Sequence, residues 1–432
     1  MNETIQIAIL GYGTIGKGVA DLLEKNQGIL LDAVGKKVEI RRVLVRDVEK
    51  AAPDKVDNPL FTIQYEDILN DPQISIVVEL MGGEQPAVPY MIQAMNAKKN
   101  VVTANKLAIA KNYAELTAAA QENGVYFLYE ASVAGTIPII RTLNTSLEAN
   151  EITSIMGIIN GTSNYILSKM TDEGMGFDEA LSIAQKKGYA EADPTSDVGG
   201  YDTLYKLVIL STLAFDTPVD YNTVFREGIE KISDKDISYI ENLGYVVKLL
   251  AIGKQEGESL ELRVHPTMIP KAHPLAKIGD AYNAIYINGN ACEDVMFSGK
   301  GAGAFPTASA VWSDILAIIR GETHFESCGK GRIYSMKPIE DCRLRYYVRM
   351  NVADEPGVLG EVADVFGVYN VSLRQISQQS STDGNGADLV FITHLATEGA
   401  VQRALVQVSE LDHVHYIETI LRIENLPETE EE

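Results

Sequence analysis

The stretch Gly188-Tyr189-Ala190-Glu191-Ala192-Asp193-Pro194, followed by Asp197, Asp202 and Lys206, gathers several carboxylates around one lysine. Asp202 and Lys206 are four residues apart, so a helix would place them on one face. Such pairs are common on solvated helices and contribute little there. Here two features change the setting: a rigid Asp-Pro turn precedes the pair, and the apolar run Leu207 to Leu210 follows it. A lysine can take and return a hydroxyl proton when burial or nearby cations bring its pKa toward working pH. Neighbouring carboxylates push the other way, but they suit the ammonium of an amino-acid substrate. A second lysine, Lys106, ends Val101-Val102-Thr103-Ala104-Asn105-Lys106, just past the carboxyl end of a predicted strand. Ligands of open parallel sheets lie at that end.

The elements that must position these groups begin with an apolar strand, Gln6 to Leu10, then Gly11-Tyr12-Gly13-Thr14-Ile15-Gly16, then an amphipathic helix to about Asn26. In that strand-to-helix context the glycines carry meaning. Gly11 permits the tight turn, Gly13 lets the backbone approach a pyrophosphate, and Gly16 allows close helix–sheet packing. The helix start, with Thr14 and Ile15, offers free amides to the phosphates. Further strands at Val38 to Arg46, Ile74 to Leu80, Asn100 to Thr103 and Val125 to Tyr129 alternate with helices at Pro86 to Ala97 and Tyr113 to Asn123. That alternation predicts an α/β fold with a Rossmann-type parallel, doubly wound sheet binding a dinucleotide. Hydride transfer from an alcohol would need a proton acceptor, which is the task a lysine could perform. Where an acidic residue commonly holds the ribose, this chain has Arg46, then Asp47 and Lys50. A guanidinium suits a 2′-phosphate, so NADP(H) is expected, with NAD(H) left open by Asp47.

After about Ala131 the rhythm becomes mixed. A strand at Ile152 to Ile159 and helices at Phe177 to Lys187 and Asp202 to Ala214 predict a central α+β domain. A glycine-rich stretch, Gly299 to Gly303, precedes a helix at Pro306 to Arg320. From about Cys342 comes a strand at Arg345 to Val352, a helix at Gly357 to Val368 and a strand at Val371 to Gln379. A turn at Asp383 to Gly386, a strand at Ala387 to Leu395, a helix at Thr397 to Ser409 and a last strand at Tyr416 to Ile423 complete a ferredoxin-like order. No internal repeat or low-complexity linker interrupts the chain.

Bulk properties narrow the partners. The chain has 432 residues, 46% apolar, enough for two to four domains with substantial cores. A formal charge of −23 argues against nucleic acid and anionic membranes as main partners. No apolar run is long enough to span a bilayer, and no signal-peptide pattern opens the sequence. Three scattered cysteines, Cys292, Cys328 and Cys342, form no disulfide framework or zinc motif and suit a cytoplasmic protein. The histidines, among them His265 and His273, have no ligand-set spacing and read as structural. The end Glu428 to Glu432 reads as a solvated acidic tail.

Several of these pieces, in order along almost the whole chain, resemble homoserine dehydrogenase. They are the Gly11 to Gly16 turn, Val102 to Lys106, Glu130-Ala131-Ser132-Val133-Ala134-Gly135, Asn160-Gly161-Thr162-Ser163-Asn164-Tyr165, Gly188 through Lys206, and Gly299 to Gly303 with Pro306 to Ala310. The resemblance implies reversible interconversion of L-homoserine and L-aspartate 4-semialdehyde, on the way to threonine, methionine and isoleucine. It implies Lys206 as proton donor and acceptor, Lys106 polarising or positioning the reacting oxygen, and Asp202 orienting the hydroxyl end. Glu191 would hold the substrate ammonium, with Tyr189, Thr162 and Asp197 lining the pocket. Thr103, Ala104, Lys106 and Gly303 would meet the cofactor. The resemblance also implies a monovalent cation, sodium above all, held by the Glu130 side chain and the carbonyls of Val133, Gly135 and Ile137. Thr136 departs from the glycine usual in that loop.

The segment Asn351 to Leu359 resembles the opening of an ACT domain, a sensor that binds amino acids between paired domains. That resemblance implies Asp354, Gly357 and Asn370 as effector residues, with threonine the natural inhibitor. A dimerisation module that binds nothing stays open. The expected organisation is a nucleotide-binding domain at 1–130 completed by 300–325, a catalytic and dimerisation domain at 131–300, an ACT domain at 342–425 and a tail at 426–432. A homodimer or homotetramer is expected. Two other functions compete: an amino-acid or redox sensor without turnover, and a dehydrogenase of another semialdehyde or hydroxy acid.

Overall fold

The computed structural model describes residues 4–53, 58–322, 333–380 and 386–424. The acidic tail, Cys328 and most of the Asp383 to Gly386 turn lie outside them. In chain order the elements are β1 (Thr4–Leu10), α1 (Thr14–Val34), β2 (Lys37–Leu44), α2 (Val48–Ala51), β3 (Phe61–Thr62), α3 (Glu66–Leu69), β4 (Ile74–Glu79), α4 (Ala87–Asn96), β5 (Asn100–Thr103), α5 (Lys106–Asn123), β6 (Phe127–Leu128) and α6 (Ile139–Arg141). Next come β7 (Ile152–Ile158), α7 (Gly161–Glu173), α8 (Phe177–Lys186), α9 (Thr195–Val198), α10 (Tyr201–Ala214), β8 (Phe225–Arg226), α11 (Asp234–Asn242), β9 (Tyr245–Glu256), β10 (Ser259–Pro270), β11 (Tyr282–Gly289), β12 (Glu293–Lys300) and α12 (Ala304–Arg320). The last are β13 (Ser335–Met336), β14 (Arg343–Val352), α13 (Val358–Val368), β15 (Leu373–Ser380), β16 (Ala387–Thr393), β17 (Ala396–Thr397), α14 (Glu398–Val408) and β18 (Val414–Ile423).

The chain divides into two compact units, one of residues 1–152, 205–222 and 283–333, the other of 153–204, 223–282 and 334–432. The first holds a six-stranded sheet in the order β3-β2-β1-β4-β5-β6. Its strand pairs are parallel, as the alternating strands and helices predict. The order reverses between β1 and β4, and a dinucleotide binds at such a switch point. Ile7 to Leu10 are fully buried, as expected for a strand covered on both faces. Helix α12 closes this core. A methyl group on Gly18 would stand 2.7 Å from the Ala304 carbonyl oxygen, so α1 and α12 touch through backbone. The Trp312 indole N–H donates to the Val19 carbonyl at 2.9 Å.

Two helix boundaries differ from the sequence reading. Helix α1 runs past Asn26 to Val34, although the backbone leaves helical values at Asn26 (φ −115°, ψ 21°). Leu30, on the added part, is buried and holds it to the core. Helix α5 begins at Lys106 rather than Tyr113, because the Asn105 side chain accepts from the Ala108 N–H and caps it. A similar departure at Asn112 separates the two parts. The strand expected at Val125 to Tyr129 shrinks to β6.

In the second unit one sheet runs β7-β9-β10-β18-β14-β16-β15. The long β9–β10 hairpin, paired from Ser259–Glu256 to Pro270–Tyr245, was not read from sequence. Its segment Val247 to Ile252 is buried on both faces, so no alternation marks it as a strand. Strands β18, β14, β16 and β15, with α13 and α14, form the expected ferredoxin-like order, with Phe366 against Phe391 in its core. Strand β18 pairs in parallel with β10 at Thr267–Arg422 and Met268–Ile423, so this module continues the central sheet. His265 on β10 is fully buried, and burial holds its pKa well below the ordinary imidazole value. Its Nε2 accepts from the Arg263 Nε–H at 3.1 Å, a structural role.

Candidate active site

The glycine turn sits where the sheet order reverses. Gly11 takes φ +98°, and a methyl group there would stand 2.7 Å from the Leu80 carbonyl oxygen. Its N–H donates to Leu44 at 2.9 Å, which pins the turn between β2 and β4. Gly13 faces open space, and Gly13 and Thr14 are exposed. No side chain caps the start of α1, so its first amides stay available for an anion. This is what a bound pyrophosphate requires. At Gly16 a methyl group would run into the Gly11 carbonyl and stand 3.7 Å from the Ile9 side chain on β1, so the helix start seats closely on the strand and its turn. A second close approach, of α1 to α12, falls on Gly18, which sequence reasoning passed over.

Beyond β2, Arg46 and Lys50 are exposed. Asp47 caps α2, its Oδ1 accepting the Lys50 N–H at 3.1 Å, and its Oδ2 lies 3.7 Å from Lys50 Nζ. At the carboxyl ends of β4 and β5, Glu79 is fully buried. It accepts from the Thr103 hydroxyl at 2.6 Å and from the N–H groups of Met81 and Gly82 at 2.7 and 3.2 Å. Burial raises its pKa, against those hydrogen bonds. The Thr103 hydroxyl is thereby engaged within the protein. Asn105 caps α5 and donates to the Gly83 carbonyl at 2.7 Å, so Lys106 stands as the first residue of a fixed helix. Ala104 and Gly303 flank the starts of α5 and α12. Glu79 was not singled out from sequence, although an acid closing an apolar strand was its signal.

Asp202 and Lys206 stand one turn apart on α10, 4% and 8% exposed. The first turn of α7 gathers the segments around Asp202. Asn160 Nδ2 donates to Asp197 Oδ1 at 2.7 Å and to Asp202 Oδ2 at 2.9 Å. The Ser163 hydroxyl donates to the Asp197 carbonyl at 2.9 Å, and the Thr162 hydroxyl to the Tyr189 carbonyl at 2.6 Å. Tyr189 packs on Tyr165, with ring centres 5.0 Å apart. Asp197, Asp202, Thr162 and Tyr189 are thus drawn together through hydrogen bonds that only the fold reveals. Glu191 is exposed on the same loop, its backbone carbonyl held by Gln185 at 3.1 Å. Among the described residues no hydrogen bond joins its carboxylate to the cluster.

The loop from Glu130 to Ile137 is built around buried charge. The Glu130 carboxylate accepts the Ile140 and Arg141 N–H groups at 2.9 and 2.8 Å, and its own N–H donates to Asp314 at 2.9 Å. Burial raises the pKa of Glu130; burial and then the Glu130 charge raise that of Asp314 well above its ordinary value. Arg141 lies 3.7 Å from Asp314 and is partly exposed. Gly135 takes φ +59°, and a methyl group there would meet the Lys300 and Gly301 carbonyl oxygens at 2.7 Å. Thr136 donates its hydroxyl to the Lys300 carbonyl at 3.1 Å. The carbonyl of Ile137 already accepts from Ile139 at 2.8 Å. Val133 is buried beside Glu130. Asp314 was missed, though an acid inside an apolar helix was its signal.

In the C-terminal module Gly357 (φ +101°) precedes α13, and Asp354 accepts from Gln378 at 3.1 Å. Asn370 (φ +57°) follows α13. Helix α13, of 11 residues, is about 16 Å long and separates Gly357 at its start from Asn370 just past its end.

Comparison with known proteins accords with this geometry. The family model described as homoserine dehydrogenase, NAD binding domain, matches residues 11–130, that described as homoserine dehydrogenase matches 138–316, and the ACT domain model matches 346–411. The chain is 44% identical to the homoserine dehydrogenase of Synechocystis over 97% of this chain and 99% of that protein. The crystal structure of a homoserine dehydrogenase from Thiobacillus denitrificans superposes with a TM-score of 0.92 at 37% identity, covering 98% of this chain and 99% of that one. A hyperthermophilic archaeal homoserine dehydrogenase in complex with NADPH matches with a TM-score of 0.64 at 25% identity, over 75% of this chain and all of the other.

Proposed function

This chain belongs to the homoserine dehydrogenase family and carries an ACT domain at its C-terminus, and from that premise we propose that it interconverts L-homoserine and L-aspartate 4-semialdehyde with NADP(H). The observation that carries the reading is the burial of Asp202 and Lys206 one turn apart on α10, where an ordinary surface pair would stand in water. When bound, the nicotinamide supplies or accepts the hydride. Lys206 takes the homoserine hydroxyl proton on oxidation and returns it on reduction. Asp202 orients the hydroxyl, and Lys106 polarises the reacting oxygen. Glu191, exposed and outside the Asn160 cluster, holds the substrate ammonium, with Tyr189, Thr162 and Asp197 shaping the pocket.

The Gly11, Gly13 and Gly16 turn and the Thr14–Ile15 start of α1 hold the pyrophosphate, with Thr103, Ala104 and Gly303 nearby. Arg46 and Lys50 hold the 2′-phosphate. Engagement of Asp47 as the α2 cap supports this, since a capping carboxylate is poorly free to grip ribose hydroxyls. The archaeal relative with NADPH agrees. In a spectrophotometric assay, NADPH oxidation should follow addition of aspartate semialdehyde and not of glyceraldehyde 3-phosphate. Arg46→Ala should raise KM for NADPH about 10- to 100-fold, the worth of a charged hydrogen-bonded contact, and leave NADH little changed. Wild-type enzyme that prefers NADH would refute the NADP assignment.

Glu130 with the carbonyls of Val133, Gly135 and Ile137 holds a monovalent cation, such as sodium. Glu130 is a buried carboxylate on the same loop as these three carbonyls, and a set of oxygen donors suits a hard cation. We place the enzyme in the cytoplasm as a homodimer or homotetramer, with a nucleotide domain at 1–130 completed by 300–325, a catalytic domain at 131–300 and the ACT domain at 342–425. Among the described residues no helix is long and apolar enough to cross a membrane.

Threonine is the proposed effector. Because Asp354 with Gly357 and Asn370 lie at opposite ends of α13, one ligand reaches both sets where two ACT domains pair. Threonine should inhibit the wild type, and Asp354→Ala should need at least about tenfold more, the loss of roughly one charged hydrogen bond. A rate and oligomer size indifferent to threonine would leave the module as a dimerisation device.

A further inference from the structure

We infer that Asn160 is a positioning residue for the substrate site, holding Asp197 and Asp202 in one fixed arrangement; this rests on the function proposed above. Two carboxylates drawn toward one group repel each other unless something between them donates hydrogen bonds. The Asn160 amide does this, with one N–H of Nδ2 at 2.7 Å from Asp197 and the other at 2.9 Å from Asp202. Its remaining polar atom, Oδ1, accepts the Ser163 N–H at 2.8 Å and caps α7. Asn160 is 6% exposed, so these bonds are shielded from competing water.

The chemistry explains the residue type. A lysine or arginine at this position would also gather the acids, but it would cancel the negative charge that an ammonium-bearing substrate meets. A serine or threonine has one donor and cannot bridge two acids. An aspartate or glutamate would add a third carboxylate. An asparagine supplies two donors without charge and caps the helix with its oxygen. The next two side chains extend the device: Thr162 fastens the loop at Tyr189, and Ser163 fastens the Asp197 backbone. Gly161 lets this turn seat closely, since a methyl group there would stand 2.9 Å from the Ala281 carbonyl oxygen. Uncharged hydroxyls and an amide thus set the place of the acids from the start of one helix.

Asn160→Ser and Asn160→Asp test this, because serine and aspartate both cap helices about as well as asparagine. The full-length enzyme is assayed for homoserine oxidation, with KM for both substrates, the pH profile and the melting temperature measured alongside. Asn160→Ser should lower kcat/KM for homoserine about 10- to 100-fold, since two bonds to charged groups are lost, and lower the melting temperature modestly, while KM for NADP stays close to wild type. Asn160→Asp places its carboxyl against Asp197 on α9 and Asp202 on α10, so the acid limb of kcat/KM should move to higher pH. An active wild type with Asn160→Ser within twofold of it would overturn the positioning role. So would losses in kcat/KM, NADP binding and melting temperature that fall together with no movement of the acid limb, which is the mark of a merely structural residue. A wild type inert toward homoserine would instead remove the function on which the inference stands.

Discussion

Replacing Lys206 by alanine is expected to lower kcat for homoserine oxidation by about 10²- to 10⁴-fold, the usual loss when a positioned acid–base group is removed. Lys206 is 8% exposed and stands one turn from Asp202, so water does not readily take its place. KM for NADP should change little, because the cofactor site proposed above lies on the glycine turn and the start of α1 and does not draw on Lys206. Asp202→Asn should have a smaller effect on kcat than Lys206→Ala, since it disturbs orientation but leaves the proton acceptor. Small primary amines added to Lys206→Ala should restore part of the rate if the missing group is the amine itself. Rates are to be compared across pH with the melting temperature as a control for folding. Near-wild-type turnover in Lys206→Ala would end the assignment.

The second large effect concerns the joint between the ACT module and the catalytic part of its unit. Asp236, on α11, is fully buried and pairs with Arg349 on β14 at 2.6 Å. Ser233, Thr419 and Tyr347 donate their hydroxyls to the same carboxylate at 2.6, 2.7 and 3.2 Å. Arg349→Ala should destabilise the protein by about 3–5 kcal/mol, because it leaves a buried carboxylate without its counter-charge. Chemical denaturation followed by circular dichroism would measure this. The double change Arg349→Met with Asp236→Leu should recover only part of the loss, since the three hydroxyls would then lack their acceptor. An Arg349→Ala loss under about 1 kcal/mol, the range of exposed pairs, would show that the pair is effectively solvated.

The effect has a definite pH sign. Burial works to raise the Asp236 pKa, but the hydrogen bonds from Arg349, Ser233 and Thr419 together with the Arg349 charge outweigh it, and the carboxyl is held below its ordinary value. The folded state therefore binds the proton less readily than the unfolded chain does. Its stabilising contribution is present above the ordinary carboxylate range and is lost as pH falls through the lower, folded-state value. In Arg349→Ala burial acts unopposed by the guanidinium. The deficit should accordingly be largest at neutral pH and should shrink on acidification, as the orphaned carboxyl takes up a proton.

Much of this protein was legible along the chain wherever one local signal decided the outcome. The Gly11 to Gly16 turn between an apolar strand and a helix announced a nucleotide-binding domain, matched by the family model over residues 11–130, because a backbone that must approach phosphate closely needs glycine. The alternation of short apolar strands with helices announced a parallel sheet, and the strand–helix order after Cys342 announced the ferredoxin-like module. Asp202 and Lys206 at helical spacing could be named as a pair. Helix ends were less legible: α1 and α5 each pass through a residue with non-helical backbone, Asn26 and Asn112, where the local pattern falters and distant packing carries the helix on.

Sequence by itself determined which residue types were at hand: the glycines of the turn, the two lysines, the acids from Glu191 to Asp202, and the buried faces of the strands. Tertiary structure alone decided which of them meet. Asn160 reaches Asp197 and Asp202 across 37 and 42 residues, Arg349 reaches Asp236 across 113, and Glu130 reaches Asp314 across 184. It also decided that Asp202 and Lys206 are buried rather than bathed in water, and that β18 joins β10. The physical reason is range. Propensity, turn chemistry and periodicity act over a few residues, whereas burial and hydrogen-bond partnership depend on segments that only the completed packing brings side by side.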